Sequence, residues 1–191
     1  KRLGEILDEM RSRSRMRLEG ASHSAAVARA CSYFSPVRAF DDMTGGIEYF
    51  HFLEKTADAY SKDEKFRKEL VRKLKETAEK LFAADNLMVG YTADEEGYKA
   101  LPEELKKFKA ALSDKPSRRY AFEFVPELKN EGFKTSSKVN YVARCGSFDA
   151  EAYTGALEVL KVIMNYEYLW QNLRVIGGAY GCMSNFGRSG T

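Results

Sequence analysis

Leu169-Trp-Gln-Asn-Leu-Arg-Val-Ile-Gly-Gly-Ala-Tyr-Gly181 is the stretch around which we interpret the rest of the chain. It joins the apolar end of a predicted helix to a glycine pair, which ends a helix and permits a sharp change of direction. Arg174 closes the helix, and Tyr180 opens a predicted strand that can run back beside it. The two side chains would come from the two sides of one tight corner, where a guanidinium and a phenol can meet a ligand carbonyl or carboxylate.

The same spacing also fits an ordinary junction of helix, turn and strand. In that interpretation Arg174 is solvated and Tyr180 is half-buried, and neither contacts a ligand. Spacing alone leaves both interpretations open, so the choice between them needs information from elsewhere in the chain.

Apolar periodicity predicts an α+β fold, in which an antiparallel or mixed sheet is covered by helices. Helical periods cover residues 1–12, 47–60, 63–81 and 95–112, and they return between Ser147 and the corner. Alternating or short buried runs predict strands at Ala25–Phe34, Leu87–Tyr91, Tyr120–Val125, Lys138–Arg144 and Tyr180–Phe186. The alanines in the first of these runs would also tolerate a helix.

Composition indicates a soluble globular protein and gives no support to nucleic-acid or membrane partners. Of the 191 residues, 44% are hydrophobic and 31% are charged, and the net charge is only +3. No apolar run approaches the roughly 20 residues of a membrane helix. The arginine-rich run 11–17 fits either a phosphate-binding arm or a solvated helix end, and we favour the second because no aromatic residues are interleaved. The first residue is not methionine, so we expect a piece of a longer protein or a processed chain.

The chain is not expected to hold a metal or to catalyse a reaction by itself. A zinc peptidase of the inverted type uses His-x-x-Glu-His on one helix. His51-Phe-Leu-Glu54 begins in that way, but Lys55 occupies the place of the second histidine, and His23 is remote in sequence. Three cysteines, at 31, 145 and 182, lack metal-like spacing, which favours reduced thiols in a reducing intracellular compartment, either cytoplasm or organelle matrix.

The corner motif Leu-Trp-x-x-Leu-Arg-Val-x-Gly-Gly-Ala-Tyr-Gly resembles a signature of the insulinase/pitrilysin superfamily of zinc peptidases, most closely its presequence-protease branch. Two other regions resemble the same branch in the same order. Ser35-Pro36 and Asp41–Leu53 are similar to its third domain. Asn130–Phe133 and Val139–Ala143 are similar to the opening of its fourth domain.

The resemblance implies a zinc endopeptidase of four repeated, processing-peptidase-like domains that closes around unstructured peptides. Residues 1–112 would be the latter part of the third domain, 113–118 a linker, and 119–191 the first part of the fourth. The zinc site would lie outside this chain, in the N-terminal catalytic half of the same protein. In the family the arginine and tyrosine of the corner motif reach the bound substrate, which implies substrate-binding roles for Arg174 and Tyr180.

Two functions remain open at this point. The chain could be part of an active zinc endopeptidase, in which it would form part of the wall of the substrate chamber and contact the peptide substrate. Alternatively, it could be part of a non-catalytic peptide-binding or scaffold member of the same superfamily. The presence of both Arg174 and Tyr180 favours the enzyme. Two copies of the chain could also pair as a homodimer through surfaces that the missing domains would otherwise cover.

Overall fold

The computed structural model describes residues 2–116, 120–121, 123–125 and 127–191. Within these ranges the chain forms seven α-helices, one π-helix and two short 3-10 turns. The α-helices are α1 (Arg2–Gly20), α2 (Ser22–Ser32), α3 (Pro36–Gly45), α4 (Ile47–Lys62), α5 (Glu64–Leu81), α6 (Glu95–Ala110) and α7 (Gly155–Ile163). The π-helix, Met164–Ile176, continues directly from α7, and the 3-10 turns are Ala84–Asn86 and Ala150–Ala152.

The described part of the chain contains no β-sheet, so the prediction of an α+β fold with an antiparallel or mixed sheet is wrong. The strand-type pairing in these ranges is an isolated parallel bridge between Ala83 and Ser113. The segments 87–91, 138–144 and 180–186, which were predicted to be strands, have irregular backbone. Alternation of apolar and polar residues suits a strand, but a strand forms only beside a partner that completes its hydrogen bonds.

Ala25–Phe34 is also wrongly predicted as a strand, because most of it lies in α2. Alanine has the highest helix propensity of all residues, and four alanines fall within this run. The helical alternative that these alanines left open is therefore the correct one. The predicted strand Tyr120–Val125 and the predicted linker 113–118 fall partly on residues outside the described ranges (117–118 and 122).

Three helices, α4, α5 and α6, begin within one residue of their predicted starts. α5 starts after Asp63, whose carboxylate accepts hydrogen bonds from the backbone N–H groups of Lys65 (2.8 Å) and Phe66 (3.3 Å). α6 starts after Asp94, which accepts a hydrogen bond from the N–H of Gly97 (2.8 Å). These bonds satisfy N–H groups that the first turn of a helix leaves without a partner.

One helix extends beyond its predicted limits. The apolar period indicated a helix over residues 1–12, and α1 continues to Gly20. α6, which was predicted over residues 95–112, spans Glu95–Ala110 and runs through Pro102 without a break. No helix in the described ranges combines the length and apolar character needed to cross a bilayer.

Packing divides the chain into two compact units, Lys1–Ala57 together with Glu123–Thr191, and Asp58–Phe122. The core of the first unit includes Leu7, Ile47, Leu53 and Ala57, and α2 packs there mainly against α3. These units reflect packing within this chain. The predicted boundaries at 1–112, 113–118 and 119–191 concern domains of a longer protein and stay a prediction.

Candidate functional site

The π-helix ends at the glycine pair, where backbone hydrogen bonds span five and six residues before the chain changes direction. The N–H of Gly177 donates to the carbonyl of Asn172 (3.1 Å), and the N–H of Ala179 donates to the carbonyl of Leu173 (2.9 Å). Gly178 has a φ of +72°, in the left-handed region that glycine adopts without the steric cost of a Cβ atom. The prediction that the helix ends at this pair is confirmed.

Gly177 is needed because carbonyl oxygens of the preceding turn lie very close to it. A Cβ atom at this position would be 2.8 Å from the carbonyl oxygen of Leu173 and 3.0 Å from that of Asn172. Both distances are shorter than ordinary van der Waals contact, so a side chain here would force the last turn of the π-helix apart. The glycine pair therefore sets both the direction and the tightness of the corner.

Arg174 and Tyr180, the two predicted substrate-binding residues, meet across this corner. The Arg174 guanidinium lies 5.8 Å from the centroid of the Tyr180 ring, and its Nη1 donates a hydrogen bond to the Tyr180 backbone carbonyl. The same guanidinium lies over the Trp170 ring, 4.4 Å from its centroid. A cation over an aromatic face is attracted by the ring quadrupole. Arg174 is thus held by two rings and one carbonyl.

The prediction of this corner from the sequence does not include the contact between Arg174 and Trp170. In that prediction Trp170 belongs only to the apolar end of the helix. A usable signal was present, because residues four apart in a helix lie on the same face, and Trp170 precedes Arg174 by four. An arginine four residues after a tryptophan, just before a helix end, therefore favours a stacked pair.

The corner leaves hydrogen-bond donors accessible to a ligand. The side chain of Tyr180 is fully presented to solvent, since the residue is 90% exposed, whereas Arg174 is half-buried. A guanidinium has five N–H donors and a phenol has one O–H donor. With Nη1 engaged by the backbone, the remaining donors of Arg174 and the Tyr180 hydroxyl can bind a carbonyl, a carboxylate or a developing oxyanion.

The chain after the corner does return along the π-helix, although it does so without forming the predicted strand. The Asn165 side chain makes two hydrogen bonds with the backbone of Ser184. Its Oδ1 accepts one from the Ser184 N–H (2.5 Å), and its Nδ2 donates one to the Ser184 carbonyl (3.1 Å). An amide side chain thus supplies the two hydrogen bonds that a neighbouring strand would have supplied. Nothing in the sequence pattern distinguished Asn165 from other helix-surface residues.

A second polar cluster, also missed from the sequence, joins α2 and α3 to Glu131. The Arg29 guanidinium binds Asp42 (2.6 Å) and makes a two-pronged contact with Glu131 (2.7 and 3.0 Å). Tyr33 donates its hydroxyl hydrogen to Glu131. The second carboxylate oxygen of Asp42 accepts the first free N–H of α4, at Ile47 (2.8 Å). The charged groups of this cluster are hydrogen-bonded to one another and to the backbone of α4, so the cluster has a structural role.

The electrostatics of this cluster follow from its charge pairing. The hydrogen bond from Arg29 lowers the pKa of Glu131 to about 2, against a smaller opposing effect of burial. Burial and then the hydrogen bond to Glu131 raise the pKa of Tyr33 to about 12. The carboxylate is therefore ionised and the phenol is protonated throughout the neutral range.

Both histidines lie against aromatic rings. The His23 ring is 5.8 Å from the ring of Tyr141, and the His51 ring is 6.3 Å from that of Phe133. His51 Nδ1 is also 3.5 Å from a carboxylate oxygen of Glu54. Among the described residues, no group of three or more His, Cys, Asp or Glu side chains is arranged to hold a metal ion.

Comparisons with known proteins agree with the resemblance of the corner motif. A family model described as "Peptidase M16C associated" matches residues 1–55. Protein HypA of Clostridium perfringens is 31% identical over 191 residues, which are 99% of this chain and 19% of that protein. Presequence protease 1, chloroplastic/mitochondrial, of Arabidopsis thaliana is 27% identical over 188 residues, 97% of this chain and 17% of that protein.

A mitochondrial presequence protease of Kluyveromyces lactis is 27% identical over 170 residues, 83% of this chain and 17% of that protein. The chain thus spans less than a fifth of the length of these three relatives. No solved structure matches the chain. The family model, the similarity to presequence proteases along most of the chain and the corner motif together place the chain in the insulinase/M16 peptidase family, as a presequence-protease-like member.

Proposed function

We propose that this chain is part of the C-terminal half of a zinc-dependent endopeptidase that degrades unstructured peptides. The relatives named as presequence proteases support a peptidase, and their greater length leaves room for a catalytic half outside this chain. The described residues offer no metal cluster, so any zinc would be held by another part of the protein. Residues 1–112 and 119–191 would then belong to the third and fourth of its domains, joined by the linker 113–118.

Within that enzyme, Arg174 and Tyr180 bind the peptide substrate. The observation that carries this role is the placement of Arg174 over the Trp170 ring and beside the exposed Tyr180 phenol. Donors that are held in place before substrate arrives lose little entropy on binding and need little reorganisation in the transition state. Each such hydrogen bond to a developing oxyanion lowers a barrier by about 3 kcal/mol.

The partners follow from the same role. The chain would face the N-terminal catalytic half of its own protein and a peptide bound between the halves. The relatives whose names place them in mitochondria or chloroplasts support an organelle matrix or another reducing compartment. Pairing of two copies of the isolated chain, through surfaces that the rest of the protein covers, remains part of the proposal.

The experiment that tests this function uses the full-length protein and an unstructured fluorogenic peptide. We expect cleavage that a chelator abolishes and added zinc restores, with a stably folded protein of similar size left intact as the control substrate. Cleavage that the chelator does not affect would contradict a zinc peptidase. Binding of the peptide without any cleavage would instead support the non-catalytic scaffold.

A further inference from the structure

Two cysteines that are far apart in sequence place their sulfur atoms closer together than an ordinary van der Waals contact. Cys31, near the end of α2, and Cys145 are separated by 114 residues, and their Sγ atoms are 2.9 Å apart. Both are free thiols and both are half-buried. A disulfide bond has an S–S length of about 2.05 Å, so a small adjustment of the two side chains would bring the sulfur atoms into bonding range.

The approach of the two thiols is supported by other contacts of the same segment within the first unit. Upstream of Cys145, the Glu131 carboxylate binds Arg29 and Tyr33 of the α2 region. Between these points, the Tyr141 ring packs against His23. The segment is therefore attached to α2 at both ends and in the middle, and Cys145 is held where its sulfur meets that of Cys31.

We propose that Cys31 and Cys145 form a reversible disulfide bond when the protein meets an oxidised low-molecular-weight disulfide such as oxidised glutathione. The bond covalently fastens the segment 131–145 to α2. This proposal stands apart from the peptidase function, because it concerns only the thiol chemistry of this unit.

The reaction proceeds by two thiol–disulfide exchanges. The Cys145 thiolate attacks one sulfur of oxidised glutathione, the glutathione S–S bond breaks, and one glutathione thiolate leaves and takes up a proton. Cys31 then loses its proton to solvent and attacks the Cys145 sulfur, which releases the second glutathione. The two cysteines are oxidised by two electrons in total, and one glutathione disulfide is reduced to two thiols.

The order of the two steps follows from the environment of Cys31. Burial, followed by the hydrogen bond from Cys145, raises the pKa of Cys31 to about 12, so this thiol is seldom ionised in the neutral range. The first attack on the external disulfide therefore falls to Cys145. Once Cys145 carries glutathione, its thiol no longer donates to Cys31, and one cause of the raised pKa is removed.

The experiment equilibrates the full-length protein in oxidised and reduced glutathione buffers, alkylates the remaining free thiols and maps linked peptides by mass spectrometry without reduction. We expect a peptide that joins residues 31 and 145 in the oxidised sample only. The half-buried thiol of Cys182 serves as the internal control and should be alkylated in both samples. Hydrogen exchange in α2 and in residues 139–146 should slow at least about tenfold on oxidation, because the bond closes a long loop.

Matched variants separate the bond from other effects of oxidation. Cys31→Ser and Cys145→Ser should exchange as the wild type does in reduced buffer and should gain no protection in oxidised buffer, whereas Cys182→Ser should gain it fully. Alkylation of residues 31 and 145 to the same extent as residue 182 in oxidised buffer would overturn the proposal. A linked peptide whose formation leaves hydrogen exchange unchanged would overturn the fastening role.

Discussion

The guanidinium of Arg174 donates a hydrogen bond to the backbone carbonyl of Tyr180, six residues later and across the glycine corner. This bond couples the position of the arginine to the conformation of the backbone that carries the tyrosine. A change in the tightness of the corner would therefore move both side chains together. The proposed binding role of the pair depends on the helix end, the glycine pair and the stacked tryptophan as much as on the two residues themselves.

Trp170 is expected to position Arg174. Trp170→Ala removes the ring over which the guanidinium lies, and we expect kcat/KM for peptide cleavage to fall about three- to fivefold, a loss of ~1 kcal/mol. Trp170→Phe keeps an aromatic face and should restore most of the activity. Tyr168→Ala, on the same helix and 58% exposed, is the control. Equal losses in the phenylalanine and alanine variants would contradict positioning by the ring face.

Gly177 is expected to be intolerant of a side chain. Gly177→Ala places a Cβ atom 2.8 Å from the Leu173 carbonyl oxygen, so the corner must open and the pair of donors must move. We expect kcat/KM to fall at least about tenfold, because misplacement of binding groups by an ångström is costly. Gly155→Ala is a matched control, since a Cβ atom there would meet nothing within 4 Å. Equal activity of the two variants would show that the tight corner is not needed.

Asp42 is expected to stabilise the junction of α3 and α4. Its side chain is only 4% exposed, and Asp42→Ala would leave Arg29 without one of its partners and the N–H of Ile47 without an acceptor. We expect the free energy of local opening to fall by about 2–4 kcal/mol. Hydrogen exchange of peptides that cover α3 and the start of α4 measures this change. Asp41→Ala, which removes an exposed neighbouring carboxylate, should change exchange little. Similar exchange in both variants would contradict the role of Asp42.

Glu131 is expected to make the first unit sensitive to acid. The contacts of Glu131 lower its pKa to about 2 in the folded protein, whereas a glutamate in the unfolded chain has a pKa near 4.3. The ionised carboxylate therefore stabilises the folded unit fully above about pH 4.3, and this stabilisation is lost as pH falls toward 2. Because solvent screens this partly exposed carboxylate, we expect the stabilisation that is lost to be only about 1–2 kcal/mol. Hydrogen exchange of the peptide that contains residue 131, corrected for intrinsic rates, measures the loss.

Glu131→Gln should show the weaker protection already at pH 7 and should lose little more as pH falls from 5 to 2. Glu127→Gln is the matched control, because this carboxylate lies on the same segment in an exposed pair with Lys129. A Glu131→Gln variant with the same pH profile as the wild type would contradict the assignment.

Part of this structure could be predicted from the sequence because the decisive signals are local. Asp63 and Asp94 cap the helices that follow them, and the glycine pair ends the π-helix, in each case through backbone groups a few residues away. Arg174 and Tyr180 come together for the same reason, since only six residues separate them.

The features that were missed depend on distant residues. The segment 138–144 alternates as a strand does, but the described chain supplies no partner strand, and its Tyr141 packs on His23 instead. Arg29 meets Glu131 across 102 residues, and Cys31 meets Cys145 across 114. Contacts of that kind are set by the packing of the whole unit, and no local pattern of charge or spacing predicts them.

The most direct test of the central claim measures peptide cleavage by the full-length protein in Arg174→Ala and Tyr180→Phe variants. We expect kcat/KM to fall at least about tenfold in each, a loss of about 1.4 kcal/mol of transition-state stabilisation, with folding and zinc content unchanged. Arg188→Ala, which removes an arginine that lies over Tyr153 instead, should retain wild-type activity. Zinc-dependent cleavage that neither variant impairs would contradict the substrate-binding role of the corner.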